Sequence, residues 1–444
     1  MKSIAQIAAE LQGYDPQALP AADVLRFLSQ LVEPVQDVLE LPLFEALGRV
    51  LATDVVSPFD VPPHDNSAMD GYAFDGSQLA SGTALTLKVV GTALAGKAWQ
   101  GTVQRGECVK IMTGAIMPAG LDTVVPQEFV NVQGDTVTLP AKLLQPGDNR
   151  RLRGEDLMQG RPALLKGELL TPARLGLVAS LGLKTVRTWR PLRVAYFSTG
   201  DEILSLGEPP REGAVYDSNR YTVFGMLRRL GCEVIDLGVV RDDPALLEAA
   251  FTNAAAQADA IITSGGVSVG EADYTKAMMK KLGDVAFWKI AMRPGRPMAV
   301  GRISQAKSAS SPVDAGAVCS QNNSRSPAAI LFGLPGNPVA VMVTFLAFVR
   351  PALLQMMGCS AAPAPLLKAR SLEPIRKKPG RTEYQRGTVS SAPDGSLQVK
   401  TTGNQGSGVL SSMAQANGLI VLHHGQGNVA AGDEVDVMMF EGVL

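Results

Sequence analysis

The chain has 444 residues, with Lys+Arg 41 against Asp+Glu 42, a net charge of −1. That length suits about two to four domains, since a single core rarely grows past roughly 250 residues. A hydrophobic share of 46% with 19% charge excludes a mainly disordered chain, and near-neutrality removes any overall basic field for nucleic acid or an acidic membrane surface. Residues 21–49 read as helices: Val24, Phe27, Leu28 and Leu31 recur at helical spacing, and a second run contains Leu43, Phe44 and Leu47. Pro58, Pro62 and Pro63 end that pattern and predict an extended loop to Gly71. Short β-like runs at 85–90, 107–112, 123–126 and 136–139, separated by Gly, Asn and Asp, predict a small β-rich subdomain.

From Leu192 the pattern changes. The predicted order is strand 192–197, helix 218–230 capped by Ser218, strand 232–240, helix 244–257, strand 260–263, strand 329–332 and helix 339–354. This alternation predicts a doubly wound parallel sheet. Between its last two strands, 303–327 is rich in Ser, Ala, Asn and Gln without periodicity, and reads as a surface insertion. From Pro363 onward the chain returns to short β segments, with Asp394-Gly395 at a hairpin turn and an alternating end at 433–439. The apolar run 339–349 is too short to span a bilayer, and residues 1–12 carry no unbroken apolar segment. A soluble cytoplasmic protein without nucleic-acid or membrane partners is expected.

Cys108, Cys232, Cys319 and Cys359 are far apart and form no Cys-x-x-Cys pair, which argues against a disulfide framework or a structural zinc site. With His64, His423 and His424 the only histidines, any metal should be a hard cation on carboxylates, such as Mg²⁺. In an open parallel sheet, ligands bind where strands end and helices begin. Those ends carry Asp201-Glu202, Asp242-Asp243 and Ser264-Gly265-Gly266, the last followed by Ser268, Glu271 and Asp273. Gly and Ser let backbone N–H groups approach a phosphate. Carboxylates beside a phosphate make chemical sense if a divalent cation bridges them. Asp242 or Asp243 could instead cap the helix starting at Pro244. Lys289, Arg293 and Arg296, with Pro294, Gly295 and Pro297 shaping the backbone, form a candidate small-anion site, or a solvated basic turn. A near-match to a phosphate-binding loop at 91–98 fails, because Ala98 replaces the required Ser or Thr and no helix follows; it reads as a β-turn. The His423-His424 pair reads as surface.

Collinear motifs then carry a resemblance. They are D-N-S-A-M-D-G-Y-A at 65–73, I-M-T-G at 111–114, G-E-D at 154–156, S-T-G-D-E at 198–202 and Y-D-S-N-R at 216–220. They continue with 263–276, M-R-P-G-R-P at 292–297, L-P-G-N-P at 334–338 and Q-G-S at 405–407. As an ordered set they resemble the molybdopterin molybdenumtransferases, which include MoeA and the E domain of gephyrin. The resemblance implies an elongated homodimer of α/β plus β class: an N-terminal linker and dimerisation region (1–61 and 149–190), an inserted β-rich subdomain (62–148), a molybdopterin-binding Rossmann-like α/β domain (191–358, with the 303–327 insertion) and a C-terminal β-barrel-like domain (363–444). It implies Mg²⁺-dependent insertion of molybdate into adenylylated molybdopterin with release of AMP. It also implies transient contact with the molybdopterin adenylyltransferase and acceptor molybdoenzymes.

By the same resemblance, Glu202, Asp242 and Asp273 lie at the pyrophosphate and its Mg²⁺, with Asp273 the first choice for the essential carboxylate. Ser264, Gly265, Gly266, Ser268, Pro335, Gly336 and Asn337 would bind substrate. Arg293, Arg296, Arg386 and Ser407 would hold molybdate, and Lys289 matches another basic functional position. Asp70, Thr113 and Asp156 match functional positions in the amino-terminal parts and would complete the site across the dimer. Arg293 and Arg296 stand where the family often has Lys, which keeps the charge and adds forked donors. A nucleotide-pyrophosphate hydrolase on the same sheet, or a non-catalytic molybdopterin-binding scaffold, are the competing readings.

Overall fold

The computed structural model describes residues 2–267, 274–304, 328–360, 362–363 and 365–440. The chain forms two compact units, one of Met1–Thr53, Lys166–Thr171 and Thr185–Leu444, the other of Asp54–Leu165 and Pro172–Lys184.

In the larger unit the sequence alternation becomes a six-stranded sheet: β1 (Arg193–Thr199), β2 (Glu233–Val240), β3 (Ala260–Ser264), β4 (Gly283–Lys289), β5 (Pro297–Ser304) and β6 (Ala328–Leu334), in the order β2-β1-β3-β6-β5-β4. The four strands expected from sequence are parallel neighbours, whereas β5 runs antiparallel to β6 and β4 antiparallel to β5. The sheet is therefore mixed at one end. Ile303 is fully buried within β5, so the stretch read as an insertion starts no earlier than 305, and 305–327 lie outside the described residues.

Alternate residues of each strand point to opposite faces, and both faces of the sheet are covered, which is why the central strands β1, β3 and β6 read as nearly unbroken apolar runs. Val194, Tyr196, Ile262 and Phe332 pack on helices α1 (Ser218–Arg229) and α4 (Pro338–Met356). Ala195, Phe197, Ile261 and Leu331 pack on α2 (Pro244–Gln257) and α3 (Tyr274–Leu282). On the second face Phe197 meets Phe251 edge to face at 5.1 Å. Helix α4 is longer than its apolar run suggested. It is long and apolar enough to cross a membrane, yet 72% of that window is buried inside the protein, as befits a core helix. The cap of α1 is Asp217 rather than Ser218: its carboxylate accepts from the Arg220 N–H at 3.1 Å.

Near the amino terminus, Val24, Phe27, Leu28 and Leu31 all face the core from the helix Ala21–Leu31, as their spacing predicts. The second predicted helical run does not form. Val38–Pro42 is a strand paired with Thr185–Trp189, and Leu43–Glu45 is a single 3₁₀ turn. Phe44 is fully exposed and Leu47 is 55% exposed, so the apolar spacing there has no core to face. The carboxyl-terminal strands close into a five-stranded barrel, because Thr382–Ser391 pairs with both Leu397–Thr401 and Gly418–Leu422. Val389, Val399, Ile420, Val435 and Val437 help fill it. The expected hairpin turn is present, with Gly395 at φ +82°.

The smaller unit holds a second six-stranded sheet containing Gly71–Phe74, Leu85–Ala93, Glu107–Ile111, Thr123–Pro126 and Thr136–Leu139, the predicted β-rich part. The stretch 94–97 is a turn with Gly96 at φ +80°, and no helix follows it.

Candidate functional site

Where β1, β3 and β6 end, a cleft of about 1160 Å³ opens in the larger unit, somewhat above the usual range of small-molecule sites. Ser198 and Ser264 lie on its floor 3.2 Å apart, and the buried Tyr196 Oη behind them is 2.9 Å from Ser198 Oγ and 2.7 Å from Ser264 Oγ. Burial pushes the Tyr196 phenol well above its usual range, so it stays protonated. The Ser264 hydroxyl is thus bonded within the floor. Above it, Gly265 and Gly266 turn the chain at φ +92° and +64°. A Cβ on Gly265 would sit 2.4 Å from the Thr199 carbonyl oxygen. Gly265→Ala should therefore cost about 3 kcal/mol or more, combining left-handed strain with a backbone clash. Urea unfolding and ligand binding measured together would check it, and unchanged values would refute the tight approach.

Glu202 and Asp242 line the cleft as exposed or strand-end carboxylates. The choice between neighbours is resolved by geometry: Asp243 caps α2, accepting from Ala245 N at 2.9 Å and Leu246 N at 3.0 Å, while Asp242 lines the cleft. Pro335, Gly336 and Asn337 line it from the start of α4. Ser268 and Asp273 lie outside the described residues.

Cations reach the same cleft through the barrel. Met292–Arg293 pairs in parallel with Thr382 and Glu383, which ties the 292–297 loop to the barrel edge. Arg293, Arg296 and Ser407 line the cleft, joined by Arg381, which sequence reasoning missed. Arg381 pairs with the buried Glu383 carboxylate at 2.7 Å. Arg386 is placed differently from the expectation. It is fully buried, and its guanidinium donates to Ser412 Oγ (2.9 Å) and to the carbonyls of Gln405 (3.1 Å), Asn404 (3.0 Å) and Gly406 (2.9 Å). A guanidinium has five N–H donors, so Arg386 chiefly shapes the loop that presents Ser407. Burial and the Arg293 charge lower its pKa to about 10, which leaves it charged at neutral pH and marks the positive field there. Lys289, at the end of β4, is outside the lining; its backbone bonds Pro16 and Leu19.

In the smaller unit, Asp70 accepts from Thr113 N at 2.6 Å and from the Thr113 hydroxyl at 2.8 Å. These bonds, the backbone one first, hold the Asp70 carboxyl below the usual carboxylate range. Asp156 is exposed, and its backbone N–H donates to the Val61 carbonyl at 3.0 Å. Elsewhere, His423 is exposed and paired with Asp436 at 2.5 Å, and burial pushes the Cys108 and Cys232 thiols up to about 12. Cys319 lies outside the described residues.

Sequence reasoning also gave no role to Asp217 and Asn219, although both line the cleft and both are buried. The available signal was the Y-D-S-N-R run at 216–220, which carried the resemblance without a role being attached to its Asp217 or Asn219. Among the described residues no group of three or more His, Cys, Asp and Glu could hold a metal by itself. Magnesium commonly takes one or two carboxylates and completes its shell with water and substrate phosphate oxygens. The oxygen donors Glu202 and Asp242, both on the cleft wall, fit that pattern.

Family models for the MoeA N-terminal region (domain I and II), a "Probable molybdopterin binding domain" and the MoeA C-terminal region (domain IV) match residues 19–182, 195–355 and 368–440. A molybdopterin molybdenumtransferase of Haemophilus influenzae is 41% identical over 420 residues, covering 94% of this chain and 98% of that protein. The chain belongs to the molybdopterin molybdenumtransferase family. It is accordingly an enzyme of molybdenum cofactor biosynthesis. The molybdopterin molybdenumtransferase of a Nostoc species is 35% identical, covering 95% of this chain and 93% of that one. The crystal structure of the molybdopterin biosynthesis moeA protein from Pyrococcus horikoshii aligns with TM-score 0.75 at 26% identity, covering 95% of this chain and 100% of that chain. Family membership fits the three-part order seen here, with a β-rich amino-terminal part, the α/β sheet and a closed barrel.

Proposed function

We propose that this enzyme inserts molybdate into adenylylated molybdopterin and releases AMP. The observation that carries the proposal is the meeting, in one cleft, of a glycine turn with strand-end carboxylates and an arginine loop with Ser407. The backbone turn at 264–266 suits phosphate oxygens, and Arg293, Arg296 and Ser407 suit a small tetrahedral oxyanion. With phosphates and molybdate each given a place, the two reactants are held close enough for transfer, which is the main contribution positioning makes to rate. Mg²⁺ would be held by Glu202 and Asp242, with Asp273 proposed as a third carboxylate, and would offset the charge of the phosphoanhydride. Arg386 positions the 404–407 loop from behind. Asp70, Thr113, Asp156 and Lys289 are proposed as further functional residues on the strength of the motifs they occupy. The proposal includes a homodimer in the cytoplasm, receiving substrate from the adenylyltransferase and passing product to molybdoenzymes.

The test is AMP release from adenylylated molybdopterin with Mg²⁺ while molybdate is titrated from zero. Molybdate-dependent release, with molybdenum recovered on the pterin, is expected. Release indifferent to molybdate would replace this reading with a pyrophosphate hydrolase, and binding without release would leave a scaffold.

A further inference from the structure

Three buried polar atoms in the lining of the cleft have no hydrogen-bond partner in the protein: Asp217 Oδ2, Asn219 Oδ1 and Thr199 Oγ1. Their residues are 3%, 8% and 3% exposed. Buried polar atoms are almost always bonded, and one left unpaired is costly, more so when charged. Three of them on one cleft are an unmet demand for a ligand.

The geometry also defines what kind of ligand group is missing. Asp217 is fixed by its role at the start of α1, where Oδ1 accepts from Arg220 N at 3.1 Å while its own N–H donates to the Leu204 carbonyl at 3.0 Å. Its second oxygen is the unpaired one. Asn219 is oriented by its amide nitrogen, which donates to the Gly336 carbonyl at 2.7 Å, so the side-chain oxygen can only accept. Both groups are therefore acceptors. A helix amino terminus ordinarily favours an anion, but here the Asp217 carboxylate already occupies that position, and a phosphate brought against it would meet like charge. An organic partner for them supplies N–H or O–H donors rather than phosphate oxygens.

We propose that Asp217 and Asn219 form an acceptor pair that reads a donor-bearing, uncharged group of the bound substrate, either its ribose diol or its pterin amino-lactam edge. This rests on the reading of the cleft as an adenylylated-pterin site, and it gives the ligand a direction. The hydroxyl- or amino-bearing end lies at the start of α1, and the phosphates lie at the 264–266 turn and the arginines. Thr199, whose hydroxyl can donate or accept, serves either group.

Isothermal titration of the full chain with AMP, 2′,3′-dideoxy-AMP, 6-hydroxymethylpterin and pyrophosphate tests this. Asp217→Asn keeps a good helix cap but turns the free acceptor into a donor, and Asp217→Ser keeps the cap and removes the free oxygen. Both variants should lose about tenfold or more in affinity for AMP or for the pterin, with pyrophosphate binding unchanged. If the diol is the group read, dideoxy-AMP should bind wild type and variants equally weakly, whereas loss confined to the pterin assigns the amino edge. Wild-type affinity for both AMP and the pterin in both variants overturns the proposal alone. Weakening of pyrophosphate by the same factor also overturns it, since the substitution would then have disturbed the whole cleft. A wild-type chain that binds neither AMP nor the pterin overturns this inference and the underlying reading together.

Discussion

Replacing Arg386 with alanine is expected to destabilise the protein, whereas replacing Arg293 with alanine should leave stability intact and raise the molybdate needed for half-maximal turnover. The two arginines look equivalent in sequence but are wired differently. Arg386 is fully buried and donates to three carbonyls of the 404–406 loop and to Ser412, so its removal leaves four acceptors without their donor and a guanidinium-sized void beneath the loop. A loss of about 3 kcal/mol or more follows, readable by urea unfolding. Lysine should not rescue it, because a single ammonium cannot copy a planar fork that serves separated acceptors. Arg293 is exposed on the cleft wall. Losing one charge-assisted contact to an anion should raise the molybdate requirement about tenfold to a hundredfold. Arg386→Ala protein of normal stability with a selectively raised molybdate requirement would return Arg386 to the anion itself.

That contrast shows how far the residues alone could be read. Strands buried on both faces announce themselves as apolar runs, so β1, β3 and β6 were legible, while the partly buried edge strand β2 was legible from its place in the strand–helix alternation, and with them the chemistry at their ends. Strands β4 and β5 were not, because each carries charge in a position periodicity treats as loop. Arg302 sits inside β5 and donates to the carbonyls of Lys2 (2.6 Å) and Leu31 (2.7 Å), and Asp284 in β4 accepts from Ile4 N at 3.0 Å. Those partners lie 271 to 300 residues away in the chain, and no local pattern encodes them. Phe44 and Leu47 mislead in the opposite direction, being apolar at helical spacing yet exposed. The same limit applies to the site. Composition at strand ends pointed to the pairs Asp201-Glu202 and Asp242-Asp243, and only the resemblance chose Glu202 and Asp242 within them; whether an aspartate beside a helix caps it, lines a cleft or does both depends on which oxygen is left unpaired, as at Asp217.

The adjacent pair Asp242 and Asp243 offers the sharpest functional test, because two neighbouring carboxylates have separable roles. Asp243 bonds two backbone N–H groups at the start of α2. Asp243→Ala should cost about 1 kcal/mol, the usual value of a lost cap, and leave most of the turnover in place. Asp242 lies on the cleft wall, and its backbone N–H is 3.4 Å from an Asp201 carboxylate oxygen, which links the ends of β1 and β2. Asp242→Asn preserves shape and backbone bonding while removing one negative charge. If that charge helps hold the cation beside the phosphoanhydride, turnover should fall about a hundredfold or more. Unfolding should be unchanged, and the Mg²⁺ concentration for half-maximal rate should rise. The rise in Mg²⁺ requirement is the decisive readout, because a carboxylate that merely shaped the loop would lower turnover without moving it. Near-normal turnover and Mg²⁺ dependence in Asp242→Asn would remove this residue from the reaction and leave Glu202 and the neighbouring acids to carry the charge.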